Sequence, residues 1–111
     1  MKGDHLGEFE ELVLLAVSGL GHAAYGVSVQ ALLERETSRG VSLGAVYAAL
    51  DRLETKGLLM SAIAPGAATR GGRSRRVFTA TPMAAHTLET LRRLRERLYR
   101  GLATRPAQRH T

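Results

Sequence analysis

The first half of the chain repeats apolar residues at intervals of three and four, the spacing of one face of an α-helix. Residues 7–20 form the first such segment, and three acids near its start favour a helix N-terminus because they interact with the helix dipole. Gly19 and Gly21 end the predicted helix. The acids are Glu8, Glu10 and Glu11, and the inward-facing residues are Phe9, Leu12, Val13, Ala16 and Leu20.

Two further helices are predicted before residue 60. The second runs from about Tyr25 to Thr37 and is closed by Arg39-Gly40. The third starts at Ser42, whose hydroxyl suits an N-cap, and stops at Gly57. The residues predicted to face the core are Val29, Leu32 and Leu33 in the second helix and Val46, Leu50 and Leu53 in the third.

The pattern changes after the third helix. Residues 57–64 and 75–80 are short, partly alternating segments, and the turn-rich sequence PGAATRGGRS separates them. This arrangement predicts a two-stranded β-hairpin with a long loop.

A last helix of about twenty residues is predicted from Pro82, which suits the first helical position, with Thr79 or Thr81 as its cap. Its apolar stripe consists of Leu88, Leu91, Leu94, Leu98 and Leu102. The remaining chain is too short to cover a helix of this length, so the stripe favours a partner helix over a monomer core. Residues 104–111 are predicted to be a flexible tail.

At 111 residues the chain is expected to hold one domain or a domain with an appendage. It has no cysteine, which excludes a disulfide framework and a thiolate metal site and fits a reducing cytoplasm. The apolar run at residues 12–17 is too short to cross a membrane, and acids precede it where a signal peptide would carry positive charge. We therefore expect a soluble, cytoplasmic protein.

The net charge of +6 is concentrated in the second half of the chain. Residues 1–65 carry five basic and eight acidic residues, a net charge of −3, whereas residues 66–111 carry eleven arginines and two acids, a net charge of +9. Arginine suits phosphates and base edges better than lysine does, because its planar fork donates two parallel hydrogen bonds. From composition alone, a solvated basic surface is an equal alternative to a nucleic-acid partner.

No pattern in the sequence indicates an enzyme. The histidines are scattered and lack metal-site spacing, and no serine stands in a nucleophile motif. The segment GLGHAAYG, residues 19–26, lies between two predicted helices and lacks both the spacing and the Gly-Lys-Ser/Thr of a phosphate loop. We expect no catalytic residue, no metal site and no cofactor.

Three helices followed by a hairpin is the order of a winged helix-turn-helix, so the predicted fold class is mainly α with a small β-hairpin. In four of its segments the chain resembles a PadR-type transcriptional regulator. The resemblance lies in LGEFEELVLLAV (6–17), AYGVSVQALLE (24–34), VSLGAVYAALDRLETKGLL (41–59) and RGGRSRRVFTATP (70–82), in the family's order. The last helix is similar to the single C-terminal dimerisation helix of the shorter members. The resemblance thus implies a winged helix-turn-helix domain at 1–81 and a dimerisation helix at 82–103.

The predicted DNA-binding residues fall in three groups. Tyr25 precedes the second helix, and the exposed face of the third helix would enter the major groove with small residues at its N-terminal end. Arginines around Gly71-Gly72 would reach phosphates or the minor groove from the wing. The third-helix residues are Ser42, Leu43, Gly44, Ala45, Tyr47, Ala48 and Arg52, and the wing residues are Arg70, Arg73, Arg75 and Arg76.

For these positions the residues alone leave a structural interpretation open. Tyr47 could merely seal the junction of two helices, Tyr25 could be a core edge, and the wing could be a solvated hairpin. For Tyr47, it is the resemblance that implies the DNA-facing role.

The resemblance implies a homodimeric repressor that binds double-stranded DNA at an inverted repeat and that a small-molecule effector releases. The chain has no tryptophan to form the stacking site that some relatives use for such an effector. The alternative is a winged-helix module that contacts protein or RNA without operator specificity, although the few aromatic residues offer no platform for base stacking.

Overall fold

Four α-helices and one antiparallel hairpin make up residues 5–65 and 74–103, the part of the chain that this computed structural model describes. The order of elements is the predicted one, with boundaries within a few residues of those expected. The helices are α1 (Glu8–Leu20), α2 (Gly26–Thr37), α3 (Leu43–Thr55) and α4 (Pro82–Ala103), the strands are β1 (Leu59–Ala64) and β2 (Arg75–Ala80), and a 3-10 turn spans Gly21–Ala23.

The helix ends mostly follow the chemistry that the sequence indicated. The Ser42 hydroxyl caps α3 by accepting from the Ala45 N–H at 3.0 Å, and the Thr81 hydroxyl accepts from the Ala84 N–H at 3.3 Å at the start of α4. The end of α2 differs from the prediction. Ser38 (φ 57°), and not Gly40, takes the left-handed conformation after the helix, and its N–H donates to the Glu34 carbonyl at 3.0 Å.

The core lies where α1 packs against the other elements. The predicted inward residues of α3 are completely buried, as are Val29 of α2 and Phe78 of β2. On α1 the predicted stripe is incomplete, because Leu14 and Val17 are also buried while Phe9 is only half-buried. The helix contacts α2, α3, α4 and β2, so it buries more than one face.

The hairpin is tied to the start of α2. The strands pair from Leu59 opposite Ala80 to Ala64 opposite Arg75. On the other edge of β2 the Phe78 N–H donates to the Ala24 carbonyl at 2.8 Å, and Tyr25 forms a β-bridge with Val77. This edge therefore fixes the wing beside the N-terminus of α2.

Helix α4 leaves the core soon after it begins. Ala84 is buried and Leu88 packs on the core at half burial, whereas residues 92–100 are all exposed. Within residues 5–65 and 74–103, no helix is long and apolar enough to cross a membrane, and no three His, Cys, Asp or Glu side chains are grouped to hold a metal ion.

Candidate nucleic-acid interface

The exposed face of α3 presents small side chains in its first two turns. Gly44, Ala45 and Ala48 are exposed, while Val46 on the opposite side is completely buried. Leu43 is half-buried, and Ser42 is exposed with its oxygen accepting the capping hydrogen bond. The face is smooth enough for the helix backbone to approach another surface closely.

Tyr47 lies at the boundary between α3 and α2. Its ring rests on Gly26: a Cβ built on that glycine would stand 2.3 Å from Cζ and 2.4 Å from the hydroxyl oxygen. The side chain remains 36% exposed. Tyr47 is therefore a packing residue that also reaches the surface.

Two other predicted site residues, Tyr25 and Arg75, are in direct contact. The Arg75 guanidinium carbon lies 4.1 Å from the centroid of the Tyr25 ring, a cation–π geometry. The backbone bridge between Tyr25 and Val77 sets this pair, because it holds the start of β2 against the start of α2. Arg75 is exposed, so its charge faces solvent beside the N-terminus of α2.

Arg76 points to α3 and forms polar contacts with residues of α3 and of the neighbouring strand β1. Its Nη2 lies 2.6 Å from a Glu54 oxygen and its Nη1 3.1 Å from Asp51, while Nε donates to the Ser61 hydroxyl at 3.2 Å. The guanidinium carbon also lies 4.8 Å from the centre of the Phe78 ring. These contacts brace the wing on α3. DNA contact by Arg76 stays a prediction, and it would compete with two carboxylates.

Arg52 is likewise engaged with an acid. Its Nε donates to Glu10 of α1 at 2.6 Å, and Lys56 Nζ lies 2.6 Å from the other Glu10 oxygen. Burial alone would raise the pKa of Glu10, but hydrogen bonds from Lys56, Arg52 and the Gly7 N–H outweigh it and lower the pKa to about 2. The Arg52 side chain is 53% exposed, so its outer part still belongs to the α3 surface.

Arg70 and Arg73, the two remaining predicted wing contacts, lie outside the described residues, as does the predicted tail at 104–111. Seven of the other predicted residues are linked by contacts or lie on the same face of α3. Arg75 contacts Tyr25, and the Tyr47 ring packs on Gly26, the residue after Tyr25. The small residues of α3 lie on the same helix as Tyr47. We call this set of residues, Tyr25, Ser42, Gly44, Ala45, Tyr47, Ala48 and Arg75, the α2–α3–β2 surface.

The sequence interpretation missed the buried acids of α1. Glu10 and Glu11 are 7% and 8% exposed and form ion pairs with α3 and α4, so they do more than interact with the helix dipole. Helical spacing could have revealed Glu10. It stands three and four positions before Val13 and Leu14, at the end of the buried stripe.

The sequence matches no protein-family model and has no significant match among curated proteins. Several solved structures share its fold, among them three PadR-type proteins. A PadR family regulator from Clostridium difficile R20291 has 23% identity and a TM-score of 0.70 over 88% of this chain and 97% of that one. A PadR-like factor from Bacteroides fragilis has 20% identity and a TM-score of 0.72 over 86% and 87%. A PadR-like regulator from Bacillus cereus ATCC 14579 has 19% identity and a TM-score of 0.70 over 92% and 93%. The chain therefore has the winged-helix fold of PadR-type transcription regulators, with one long helix after the hairpin.

Proposed function

We propose that this protein is a homodimeric, sequence-specific DNA-binding transcription regulator of the PadR type. The observation that carries the proposal is the α2–α3–β2 surface, which joins an exposed helix face of small residues to an exposed arginine. In a winged helix-turn-helix this arrangement puts the second helix of the motif, here α3, in the major groove. Because the fold is shared with PadR-type regulators, we assign the protein to that class and not to the enzymes.

In this function, α3 and the start of α2 have different tasks. Gly44, Ala45 and Ala48 let α3 sink between the phosphate backbones, and the free N–H groups of its first turn bind a phosphate beside Ser42. Arg75, stacked on Tyr25, supplies a positive charge for the backbone on the wing side. The phosphate contacts fix the position of the helix, and base-edge contacts from α3 give specificity.

The dimer is proposed from the apolar surface of α4. Leu94, Leu98 and Leu102 are exposed by 41%, 63% and 70%, and no other described part of the chain covers them. One residue that the sequence interpretation missed extends this surface: Tyr99 of α4 is exposed and lines a groove of about 370 Å³ together with Leu98 and Leu102. A partner's α4 lying in that groove would bury Leu98 and Leu102 around a two-fold axis. Leu88 is mainly a core residue and would contribute least.

Repression and release by an effector are the finer parts of the proposal. We propose repression because the resemblance to PadR-type regulators implies it; the dimer would act by blocking access to a promoter. For an effector we propose the groove of about 670 Å³ between residues 5–6, the end of α3 and α4, where Lys56 and Arg95 flank Leu58 and Leu91. Such a groove suits an apolar ligand, and an acid group on the ligand would compete with Glu10 for Lys56 and with Glu11 for Arg95. Thermal-shift screening of aromatic and aliphatic acids tests this part, and a hit must also release bound DNA.

The central test is selection of bound duplexes from a random 40-bp library, followed by a mobility-shift titration of the selected sequence. The proposal expects an inverted repeat, a dimer on each duplex, and at least a thousandfold preference over unrelated DNA, the usual lower range for specific binders. Retention of random sequences without enrichment would contradict operator recognition. Preference for a structured RNA competitor would favour the alternative module.

A further inference from the structure

Adjacent acids of α1 connect the proposed DNA-reading helix to the proposed dimerisation helix. Glu10 binds Arg52 of α3 and Lys56, the residue that follows α3, each at 2.6 Å. The next residue, Glu11, binds Arg95 of α4, with 2.6 Å between Arg95 Nη2 and Glu11 Oε1. Both carboxylates are buried, whereas the Arg52 and Arg95 side chains are 53% and 54% exposed, so each acid is held in a defined position while its arginine also meets solvent.

The Glu11–Arg95 contact stands where α4 has otherwise left the core. Ala84 is the buried residue of this helix, and every residue from 92 to 100 is exposed. Arg95 is eleven positions after Ala84, about 16 Å along a helix that rises 1.5 Å per residue. Because this contact is so far from the last buried side chain, it affects the angle between α4 and the winged domain much more than it affects how firmly α4 is attached.

We propose that Glu11 and Arg95 are positioning residues that set the angle between the winged domain and α4, and with it the half-site spacing that the dimer accepts on DNA. This inference rests on the proposed function, since it requires a dimer through α4 that binds an inverted repeat. In such a dimer each winged domain is attached to the α4 of its own chain. A change in the angle moves the two α3 helices apart or together and rotates them around the DNA axis.

The ion pair is suited to this task because its energy depends on direction. A carboxylate with 11% side-chain exposure accepts from a guanidinium whose N–H groups point in fixed directions. Apolar contacts near Leu88 would tolerate a small rotation of α4 with little loss, because the hydrophobic effect is non-directional. Loss of the pair should therefore widen the range of angles and leave the average fold intact.

The experiment measures affinity for the selected inverted repeat with its natural spacer and with the spacer lengthened or shortened by one base pair. One base pair shifts a half-site by about 3.4 Å and turns it by about a tenth of a helical turn. We expect wild type to discriminate strongly among the three duplexes. Arg95→Gln and Glu11→Gln should each reduce the ratio of affinities at least about threefold, and the double variant should match the single ones, because all three lack the same contact.

The controls separate positioning from stability and charge. Arg93→Gln removes one charge from α4 two positions away, where the arginine pairs with Glu89 of its own helix, and should keep the wild-type ratio. Arg95→Lys keeps a cation opposite Glu11 and should restore part of the discrimination. The ratio is taken within one protein preparation, so a smaller folded fraction does not alter it.

An unchanged ratio in Arg95→Gln and Glu11→Gln overturns the inference, as does an equal change in Arg93→Gln. If wild type is a monomer or selects no inverted repeat, the proposed dimeric function fails and the inference with it. If wild type selects a repeat and the variants discriminate as it does, only the inference fails.

Discussion

The Tyr47 ring occupies the space above Gly26 that a side chain at that position would need. A Cβ on Gly26 would approach Tyr47 Cζ to 2.3 Å, far inside van der Waals contact. The start of α2 and the second turn of α3 meet through this contact, which explains why a tyrosine stands there in a helix whose large apolar residues Val46, Leu50 and Leu53 are core. The glycine is therefore required by a close approach of two helices, since its backbone has an ordinary helical conformation.

Gly26→Ala should displace the Tyr47 ring and lower both stability and DNA affinity. The Tyr47 side chain is 36% exposed and its ring can swing outward, so we expect a loss of about 1 kcal/mol in unfolding free energy, the low end for overpacking. Gly19→Ala is the matched control, because Gly19 lies in α1 with open space around it and alanine favours a helix. Melting curves and mobility-shift titrations of both variants test this. Equal stability of Gly26→Ala and wild type would contradict the close contact.

The two adjacent wing arginines should respond differently to alanine substitution. Arg75 is exposed on the Tyr25 ring, so Arg75→Ala should weaken DNA binding and reduce the log–log salt slope by roughly one, the value for one lost phosphate contact. Arg76 binds Glu54 and Asp51, so Arg76→Ala should instead lower unfolding free energy by about 1 kcal/mol.

Arg97→Ala, an exposed arginine on α4, controls for the change in net charge. If Arg75→Ala leaves the salt slope unchanged, Arg75 makes no phosphate contact and is simply a solvated surface residue.

Much of this architecture is encoded in local sequence patterns. The period of the apolar residues, the cap at Ser42 and the proline at the start of α4 are enough to predict the four α-helices and the hairpin, though not the 3-10 turn at Gly21–Ala23. The end of α2 was predicted less well, since glycine is the usual left-handed residue and Ser38 takes that role here. A serine can adopt this conformation when its N–H is bonded to the preceding turn.

The partners of charged residues could not be predicted in the same way. Arg76 pairs with acids 22 and 25 positions earlier, and Arg95 with an acid 84 positions earlier. Such pairs depend on how the helices pack, so the sequence shows which residues are charged but not which of them form pairs. For the same reason, Arg52 and Arg76 could be predicted as basic surface residues but not as partners of Glu10, Asp51 and Glu54.

The lowered pKa of Glu10 makes part of the stability dependent on pH. The pKa is about 2 in the folded protein and near 4.5 otherwise, so the contribution is complete above pH 4.5 and is lost as pH falls towards 2. Glu10→Gln should be less stable than wild type by about 2 kcal/mol at neutral pH, and the two should converge near pH 2. Denaturant titrations across this range measure the difference. Glu8→Gln, an exposed change in the same helical turn, should follow the wild-type curve.

The proposed dimer can be broken without unfolding the monomer. Leu98 is 63% exposed in the single chain, so Leu98→Asp places a charge where the monomer has water and the dimer has an apolar contact. We expect light scattering to give the monomer mass for Leu98→Asp and the dimer mass for wild type and for the neighbouring variant Arg97→Asp. Circular dichroism should show the same helix content in all three. A Leu98→Asp dimer would show that α4 does not form the interface.

The last prediction separates the packing role of Tyr47 from its proposed contact with DNA. Tyr47→Phe keeps the ring on Gly26 and removes only the hydroxyl, which makes no hydrogen bond within the described residues. Melting should therefore be nearly unchanged, while DNA binding should weaken by about 1 kcal/mol, the usual worth of one hydrogen bond.

Val46→Ala, at a completely buried neighbouring position, should do the opposite by opening a cavity that costs about 1–2 kcal/mol of stability. Its DNA affinity, corrected for the folded fraction, should match wild type because the side chain faces the core. Both quantities come from the same preparations, by calorimetry and by titration with the selected duplex. If Tyr47→Phe binds that duplex as wild type does, and Tyr47→Ala loses stability without a separate loss of binding, the tyrosine serves packing alone and the DNA contacts of α3 must come from its small residues and its first-turn N–H groups.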